Sequence, residues 1–360
     1  MNFTLPDHDL WEYLQRTDKT VVLYGMGNGA DKILAVCEQY GIAVADFFAS
    51  DGFVRGHSFH GKTVLSYSAV KEKYGADNLI VLLSFASARP EVLATIQKVA
   101  SECELYAPDV PVFGNTLFTR AFFEEHRKEF SRVYDLLADD ESRRIFEEVI
   151  AYKLTGDISY LFAAENTKDE VYRHLLRADE IRSAMDLGAY NGDTIRELQA
   201  YAPNLKTVFA MEPDRRSYRK LCEFTERIGD SLTLHTVQAA AWSEETVLRF
   251  GDEGNRNSSV SATGNATRIT EIAALPPDRF LAGQCVDYIK YDVEGAEAEA
   301  IVGTRETILS HRPKLLVSAY HRSEDLYALP LLIHDLRPDY RLYLRRYPYV
   351  PAWDLNLICV

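Results

Sequence analysis

The chain has 360 residues, 47% of them hydrophobic and 26% charged, with a formal net charge of −14. That length accommodates two domains, each with its own core, and the composition is that of a globular protein. The acidic balance speaks against a nucleic-acid-binding surface and leaves small-molecule chemistry open.

Cys37, Cys103, Cys222, Cys285 and Cys359 are scattered and form no C-x-x-C pair. This pattern suits buried thiols in a reducing compartment better than a disulfide framework or a zinc site. The N-terminal residues carry acids where a signal peptide needs basic ones, and no run approaches the roughly 20 apolar residues of a spanning helix. A cytoplasmic protein without membrane insertion is the expectation.

Residues 20–110 alternate strand-like and helix-like segments. Thr20–Tyr24 reads as a buried strand, and G-M-G-N-G-A follows at Gly25–Ala30. A helix is expected to Tyr40, a second strand over Ile42–Phe48, a third over Asn78–Ser84 and a helix from about Pro90. Such alternation predicts a parallel sheet covered on both faces. Gly25, Gly27 and Ala30 fit the dinucleotide fingerprint, with Asp51 about 20 residues on, where a ribose-binding acid belongs. The same glycines also serve a plain tight turn, so two readings stand. Together with F-H-G-K-T-V at Phe59–Val64, this part resembles the small nucleotide-binding modules at the front of some sugar-modifying enzymes.

From Leu117 to Leu176 the sequence becomes charged, with apolar residues at helical spacing, among them Ile145, Phe146, Val149 and Ile150. Two or three bridging helices are expected, their charge runs being solvated faces.

The second half is organised around Met185–Thr194, M-D-L-G-A-Y-N-G-D-T. An apolar run, a glycine turn and a helix start make a nucleotide-binding corner, with free N–H groups of the first helical turn facing a ligand. Lys206–Glu212 reads as the next strand, ending in Glu212 about 24 residues after Gly188, where a doubly wound domain places its ribose-hydroxyl acceptor. Pro213 and Asp214 start a helix. Leu232–Gln238 leads as a third strand into Ala239–Ser243, which includes Ala240 and lies where the adenine edge is expected. Trp242 is a candidate stacking partner or a core residue.

Leu248–Val260 reads either as a solvated loop or as a hairpin whose Asn257, Ser258 and Ser259 touch substrate. Val286–Glu297, V-D-Y-I-K-Y-D-V-E-G-A-E, is an apolar strand ending in Asp292. A carboxylate there faces the reacting end of a ligand at the switch point. Lys290 inside this strand needs a carboxylate partner. Lys314–Tyr320 is a further strand with His321 just beyond it, and Tyr340–Arg345 and Asp354–Cys359 close the chain as a strand pair.

These ordered motifs, with F-A-M-E-P-D and the Y-H-R-S-E-D-L run from Tyr320, resemble the FkbM-type S-adenosylmethionine-dependent methyltransferases over roughly Leu136–Val360. The resemblance implies an α/β fold in three parts. These are a smaller Rossmann-like nucleotide-binding module (1–115), a helical connector (116–180) and a class I methyltransferase sheet (181–360), parallel with an antiparallel closing strand. It implies S-adenosylmethionine as cofactor and O-methylation of a small-molecule hydroxyl, on a sugar, nucleotide-sugar or related natural product.

Carried onto this sequence, the resemblance has Asp186, Gly188, Ala189, Tyr190, Asn191, Gly192, Asp193 and Thr194 hold the methionine end. Glu212 and Pro213 then serve the ribose, and Ala240 the adenine. Asp292 and His321 border the transferred methyl. Alignment of a hydroxyl with that methyl is worth roughly 7–11 kcal/mol. A neutral His321, with a pKa near 6.5, is then the expected general base with Asp292 orienting it.

Asp292, Glu294 and Glu297 carry oxygens of the kind Mg²⁺ takes, yet three nearby acids are not a coordination motif, and no metal is assigned. Asp169–Leu175 matches only loosely the aromatic pair common in such proteins, which leaves its substrate contact open. The first domain is expected to recognise a nucleotide part of the acceptor or to serve a homodimer. Two other readings remain, a catalytically silent adenosyl-binding or scaffolding protein and an NAD-linked oxidoreductase.

Overall fold

The computed structural model describes residues 6, 8–54, 56–251 and 269–360. The proposed substrate contacts Asn257, Ser258 and Ser259 lie outside the described residues.

In the first part, β1 (Thr20–Tyr24), β2 (Val44–Ala49), the hairpin β3 (Ser58–Phe59) and β4 (Lys62–Thr63), β5 (Leu65–Ser66), β6 (Leu79–Leu83) and β7 (Glu104–Tyr106) follow in chain order. A five-stranded sheet runs β5-β2-β1-β6-β7, every neighbouring pair parallel. Every residue of β6, L-I-V-L-L, is buried, as a strand covered by helices on both faces requires. The sequence pattern gave β1, β2 and β6 to within two residues. The edge strands β5 and β7 are too short to show a period.

The second part holds β8 (Ser183–Leu187), β9 (Thr207–Met211), β10 (Thr233–Val237), β11 (Ala240–Ala241), β12 (Thr246–Gly251), β13 (Ile269–Leu275), β14 (Tyr288–Tyr291), β15 (Lys314–Ser318), β16 (Leu342–Arg346) and β17 (Leu355–Cys359). Seven strands form one sheet in the order β10-β9-β8-β14-β15-β17-β16. All pairs from β10 to β15 are parallel, and β17 runs antiparallel between β15 and β16. The chain order reverses between β8 and β14, so their carboxyl ends diverge into a crevice. β11, β12 and β13 make a small separate sheet.

Helices Arg120–Glu125, Arg127–Leu136 and Asp140–Thr155 join the two sheets. The last is bounded by local chemistry: Asp139 accepts the Ser142 N–H at its start, and Gly156 ends it at φ 68°. This connector is not a loose tether. Tyr152, Ile158 and Leu161 share an apolar cluster with Val22, Tyr24 and Val81 of the first sheet. Buried Arg345 of β16 pairs with Asp139 and Glu170, each at 2.7 Å. Val350 and Ala352, from the turn between β16 and β17, sit in the first sheet's core, and Ser87 and Val350 exchange two backbone hydrogen bonds of 2.9 and 3.0 Å.

All five cysteines are free thiols; Cys37, Cys103 and Cys359 are buried, but Cys285 is exposed, against the expectation of uniformly buried thiols. Among the described residues no helix is long and apolar enough to cross a membrane.

Candidate active site

The crevice at the strand ends opens into a cavity of about 370 Å³. Gly188 lets its floor form. At φ +88° it brings the turn after β8 against the end of β14, so that a Cβ would lie 1.9 Å from the Asp292 carbonyl oxygen. Three non-glycine residues in the left-handed region, Tyr190 (φ 47°), Glu294 (φ 53°) and Asp354 (φ 61°), line the same cavity. Backbone strain of this kind costs about 1–3 kcal/mol and gathers at functional sites.

On the β8–β9 side, Glu212 is 6% exposed and accepts the Tyr190 N–H at 2.8 Å and the Asp214 N–H at 2.7 Å. Burial raises its pKa to about 8 in spite of those two donors. Asp186 lies beneath the turn, where Oδ2 accepts from the Thr194 hydroxyl and Oδ1 is buried without a hydrogen-bond partner. Burial raises the Asp186 pKa, with Lys290 and Thr194 working the other way. Lys290, in the middle of the sheet, has its ammonium 3.0 Å from Asp292 Oδ2. Burial opposes the Lys290 charge, but Asp292 and Asp186 outweigh it and raise the pKa. The expectation of a carboxylate partner for this lysine is met twice.

The cavity brings together Gly188, Tyr190, Asp193, Thr194, Glu212, Pro213, Ala240 and Asp292 from the residues singled out in the sequence. Others take different places. Ala189 is fully buried and Gly192 packs against the Phe224 ring, while Asn191 receives hydrogen bonds from Arg196. These three shape the turn rather than the cavity wall. Ala240 and Ala241 line the wall, and Trp242 does not.

His321 departs most from expectation. It is 0% exposed and stands behind the cavity wall. Its Nδ1 is 3.0 Å from Glu297 Oε1, and its Nε2 is 3.5 Å from Glu294 Oε2 and 3.7 Å from Asp292 Oδ1. Burial disfavours the imidazolium, but Glu297, Glu294 and Asp292 together raise its pKa to about 10. These three carboxylates favour the protonated ring, whereas a general base needs the neutral one. The sequence could not show it, because the carboxylates that hold the proton converge only through the turn after β14. For Asp292, burial works against the charge, but Lys290 and His321 hold its pKa down at about 2.

The far side of the cavity was not read from the sequence. Tyr320, Tyr347, Tyr349, Trp353, Asp354 and Asn356 line it. The aromatic run Y-P-Y-V-P-A-W-D between two closing strands was the available signal. Lys168 and Tyr172 also line it, so the segment left open in the sequence does reach the cavity. Val112 comes from the end of the first part, after β7: Lys32 donates to the Pro111 and Val112 carbonyls at 3.0 and 2.8 Å, and Phe113 N–H donates to the His321 carbonyl at 2.9 Å.

In the first domain, Asp51 is engaged by the Ser68 N–H (3.0 Å) and hydroxyl (2.7 Å), at the start of helix Tyr67–Tyr74. Gly25 packs against Ser84 and Phe85, and Gly29 against the Ser84 carbonyl.

The site is thus a cavity at the switch point of a doubly wound sheet with an antiparallel last strand, edged by Gly188, Glu212 and Asp292. Residues 186–350 match the Methyltransferase FkbM domain. The fold of nearly the whole chain is similar to that of a Methyltransferase FkbM from Methylobacillus flagellatus KT. That likeness has 23% identity and a TM-score of 0.71, covering 99% of this chain and 94% of that one. A precorrin-6y C5,15-methyltransferase from Geobacter metallireducens GS-15 (13% identity, TM-score 0.33, 54% of this chain and 88% of that one) is more distant. So is the Aeropyrum pernix fibrillarin with natively bound S-adenosyl-L-methionine (12%, 0.32, 50% and 66%). Likenesses that low carry no argument. No curated protein matches the chain.

Proposed function

We propose that this FkbM-type methyltransferase transfers the methyl of S-adenosylmethionine to a hydroxyl of a sugar, nucleotide-sugar or related small molecule. The observation that carries the acceptor class is the far wall of the cavity. Aromatic rings of Tyr320, Tyr347, Tyr349 and Trp353 alternate there with the hydrogen-bonding groups of Asp354, Asn356, Glu294 and Lys168. Flat apolar faces interleaved with hydrogen-bonding groups suit a ring bearing several hydroxyls.

The residues of the near wall fit the cofactor. Asp186 Oδ1 is a buried acceptor without a partner, suited to a cationic amino group at the methionine end. The Glu212 carboxylate stands at the end of β9, where ribose hydroxyls are the natural donors. Ala240 and Pro213 leave a flat apolar slot for a base.

When bound, S-adenosylmethionine supplies an electrophilic methyl on a sulfonium. The chain's own work is to hold an acceptor oxygen in line with it and to keep water out. Glu294, whose pKa burial raises to about 7, presents a carboxylate at the reacting end to take the hydroxyl proton, and Asp292, anchored by Lys290, accepts hydrogen bonds there. His321 positions those carboxylates from behind. Location in the cytoplasm and pairing of two chains through the first domain remain part of this proposal.

Calorimetric titration with S-adenosylmethionine, S-adenosylhomocysteine and NAD tests the cofactor assignment, with binding of the first two alone as the expected result. Turnover of S-adenosylmethionine to S-adenosylhomocysteine across a panel of glycosides and nucleotide-sugars, with the O-methyl product identified by mass spectrometry, tests the acceptor class. Turnover only with amines or thiols would overturn it.

A further inference from the structure

We infer that His321 Nε2, Asp292 and Glu294 form a site for one hard divalent cation, of the Mn²⁺ or Mg²⁺ type, set into the wall of the cavity, with Glu297 fixing the imidazole from its other side. Nε2 is 3.5 Å from Glu294 Oε2 and 3.7 Å from Asp292 Oδ1. Both exceed the roughly 2.7–3.2 Å of an N–H···O hydrogen bond. Nε2 makes no hydrogen bond although the ring is 0% exposed, and Nδ1 has only its ion pair with Glu297. Atoms that share a cation through bonds of about 2.1 Å lie roughly 3.0–3.5 Å apart, close to what is observed.

The other ring nitrogen completes the pattern. Nδ1 is 3.0 Å from Glu297 Oε1, and that carboxylate is itself held by the Val293 N–H at 2.9 Å. A carboxylate on one imidazole nitrogen orients the ring and directs the other nitrogen at a metal. Ligand atoms of Asp292, Glu297 and His321 lie within 4.8 Å of one another, so the orienting carboxylate and the cation site are neighbours on one ring.

Local charge supports the same conclusion. The ammonium of Lys290 faces Asp292 through Oδ2 and leaves Oδ1 turned to His321. The Tyr320 hydroxyl donates to that Oδ1 over a long 3.3 Å. A divalent cation takes the place of the Nε2 proton among the same carboxylates and answers more of their charge. Glu294 is held at φ 53°, a strained conformation that turns its side chain to the cavity and to Nε2.

Two protein carboxylates and one imidazole leave coordination positions open. Asp292 and Glu294 both line the cavity, so those positions face the acceptor. Their ligands would be hydroxyl oxygens of the acceptor, a vicinal pair being the best match, or water. A hydroxyl oxygen on a divalent cation also loses its proton more readily. This role in acceptor binding rests on the methyl-transfer proposal, whereas cation binding does not.

The test uses the full chain, stripped with EDTA and dialysed. Mn²⁺ is titrated in while free Mn²⁺ is followed by electron paramagnetic resonance. One Mn²⁺ per chain is expected, with affinity reduced at least tenfold in Asp292→Asn and in Glu294→Gln. S-adenosylhomocysteine binding is measured on the same samples and reports the cofactor half independently. Because His321→Gln risks the fold, the two carboxylate variants, each checked by a thermal melt, carry the decision. No Mn²⁺ uptake at millimolar concentration by protein that binds S-adenosylhomocysteine overturns the site and leaves the methyltransferase reading intact. Uptake unchanged in both variants overturns it equally.

Discussion

Replacing Glu212 by Gln tests the near wall of the cavity at its most sensitive point. Both carboxylate oxygens accept backbone N–H groups, from Tyr190 and Asp214. The amide of Gln turns one acceptor into a donor facing an N–H, and leaving a buried donor without a partner costs about 1–3 kcal/mol. A ribose hydroxyl that donates to this carboxylate loses its acceptor as well. The expected result is an affinity for S-adenosylhomocysteine lowered about 10- to 100-fold.

The wild-type protein should also show a proton. With a pKa raised to about 8 by burial, Glu212 is about 90% protonated at pH 7. Hydroxyl donors favour the charged form, so ligand binding expels that proton. Calorimetry at pH 7 in phosphate and in Tris should give enthalpies that differ by nearly one proton's worth of buffer ionisation. Affinity should rise with pH up to about 8 and then level.

Stability without ligand follows the opposite course. A carboxyl whose pKa is raised from 4.5 to about 8 on folding contributes stability that is complete below pH about 4.5. That contribution is lost as pH rises through about 8. Melting temperature should therefore fall across that window in the wild type, and less in Glu212→Gln. Equal enthalpies in the two buffers, together with unchanged affinity in the variant, would refute the assignment of Glu212 to the ribose.

Other expectations follow from packing and charge. Gly188→Ala should lower stability by about 2–5 kcal/mol, from left-handed strain plus overpacking against the Asp292 carbonyl; a denaturant melt within 0.5 kcal/mol of wild type would contradict the close approach. Lys290→Met removes the buried partner of Asp292 and Asp186 and should cost about 3–5 kcal/mol near neutral pH. Because Asp292 has its pKa lowered to about 2, the stability it gains from Lys290 is present above about pH 4 and lost as pH falls through 2. The difference between variant and wild type should shrink in that range, and chemical denaturation at pH 7 and pH 3 measures it. Asp51→Ala removes the acceptor for Ser68 at the head of helix Tyr67–Tyr74 and should cost about 1 kcal/mol, read from the shift in thermal midpoint.

The sequence by itself determined the strand order in time and the turn chemistry. Apolar runs such as L-I-V-L-L and the M-D-L-G corner carry their geometry locally, because a buried parallel strand needs an unbroken apolar run and a tight turn needs glycine. Glu212 and Asp292 were legible for the same reason, each ending its own strand. What a residue meets across the sheet was not legible. Nothing in the sequence shows that the turn after β14 brings Glu294 and Glu297 against the two nitrogens of His321, or that Ser68 engages Asp51. The far wall is the largest such case. Tyr347–Asp354 reaches the cavity because β17 inserts between β15 and β16 and because Val350 is gripped by the core of the first sheet. Contacts over more than two hundred residues of chain leave no periodic trace, so only the folded molecule could decide which aromatic rings face the acceptor.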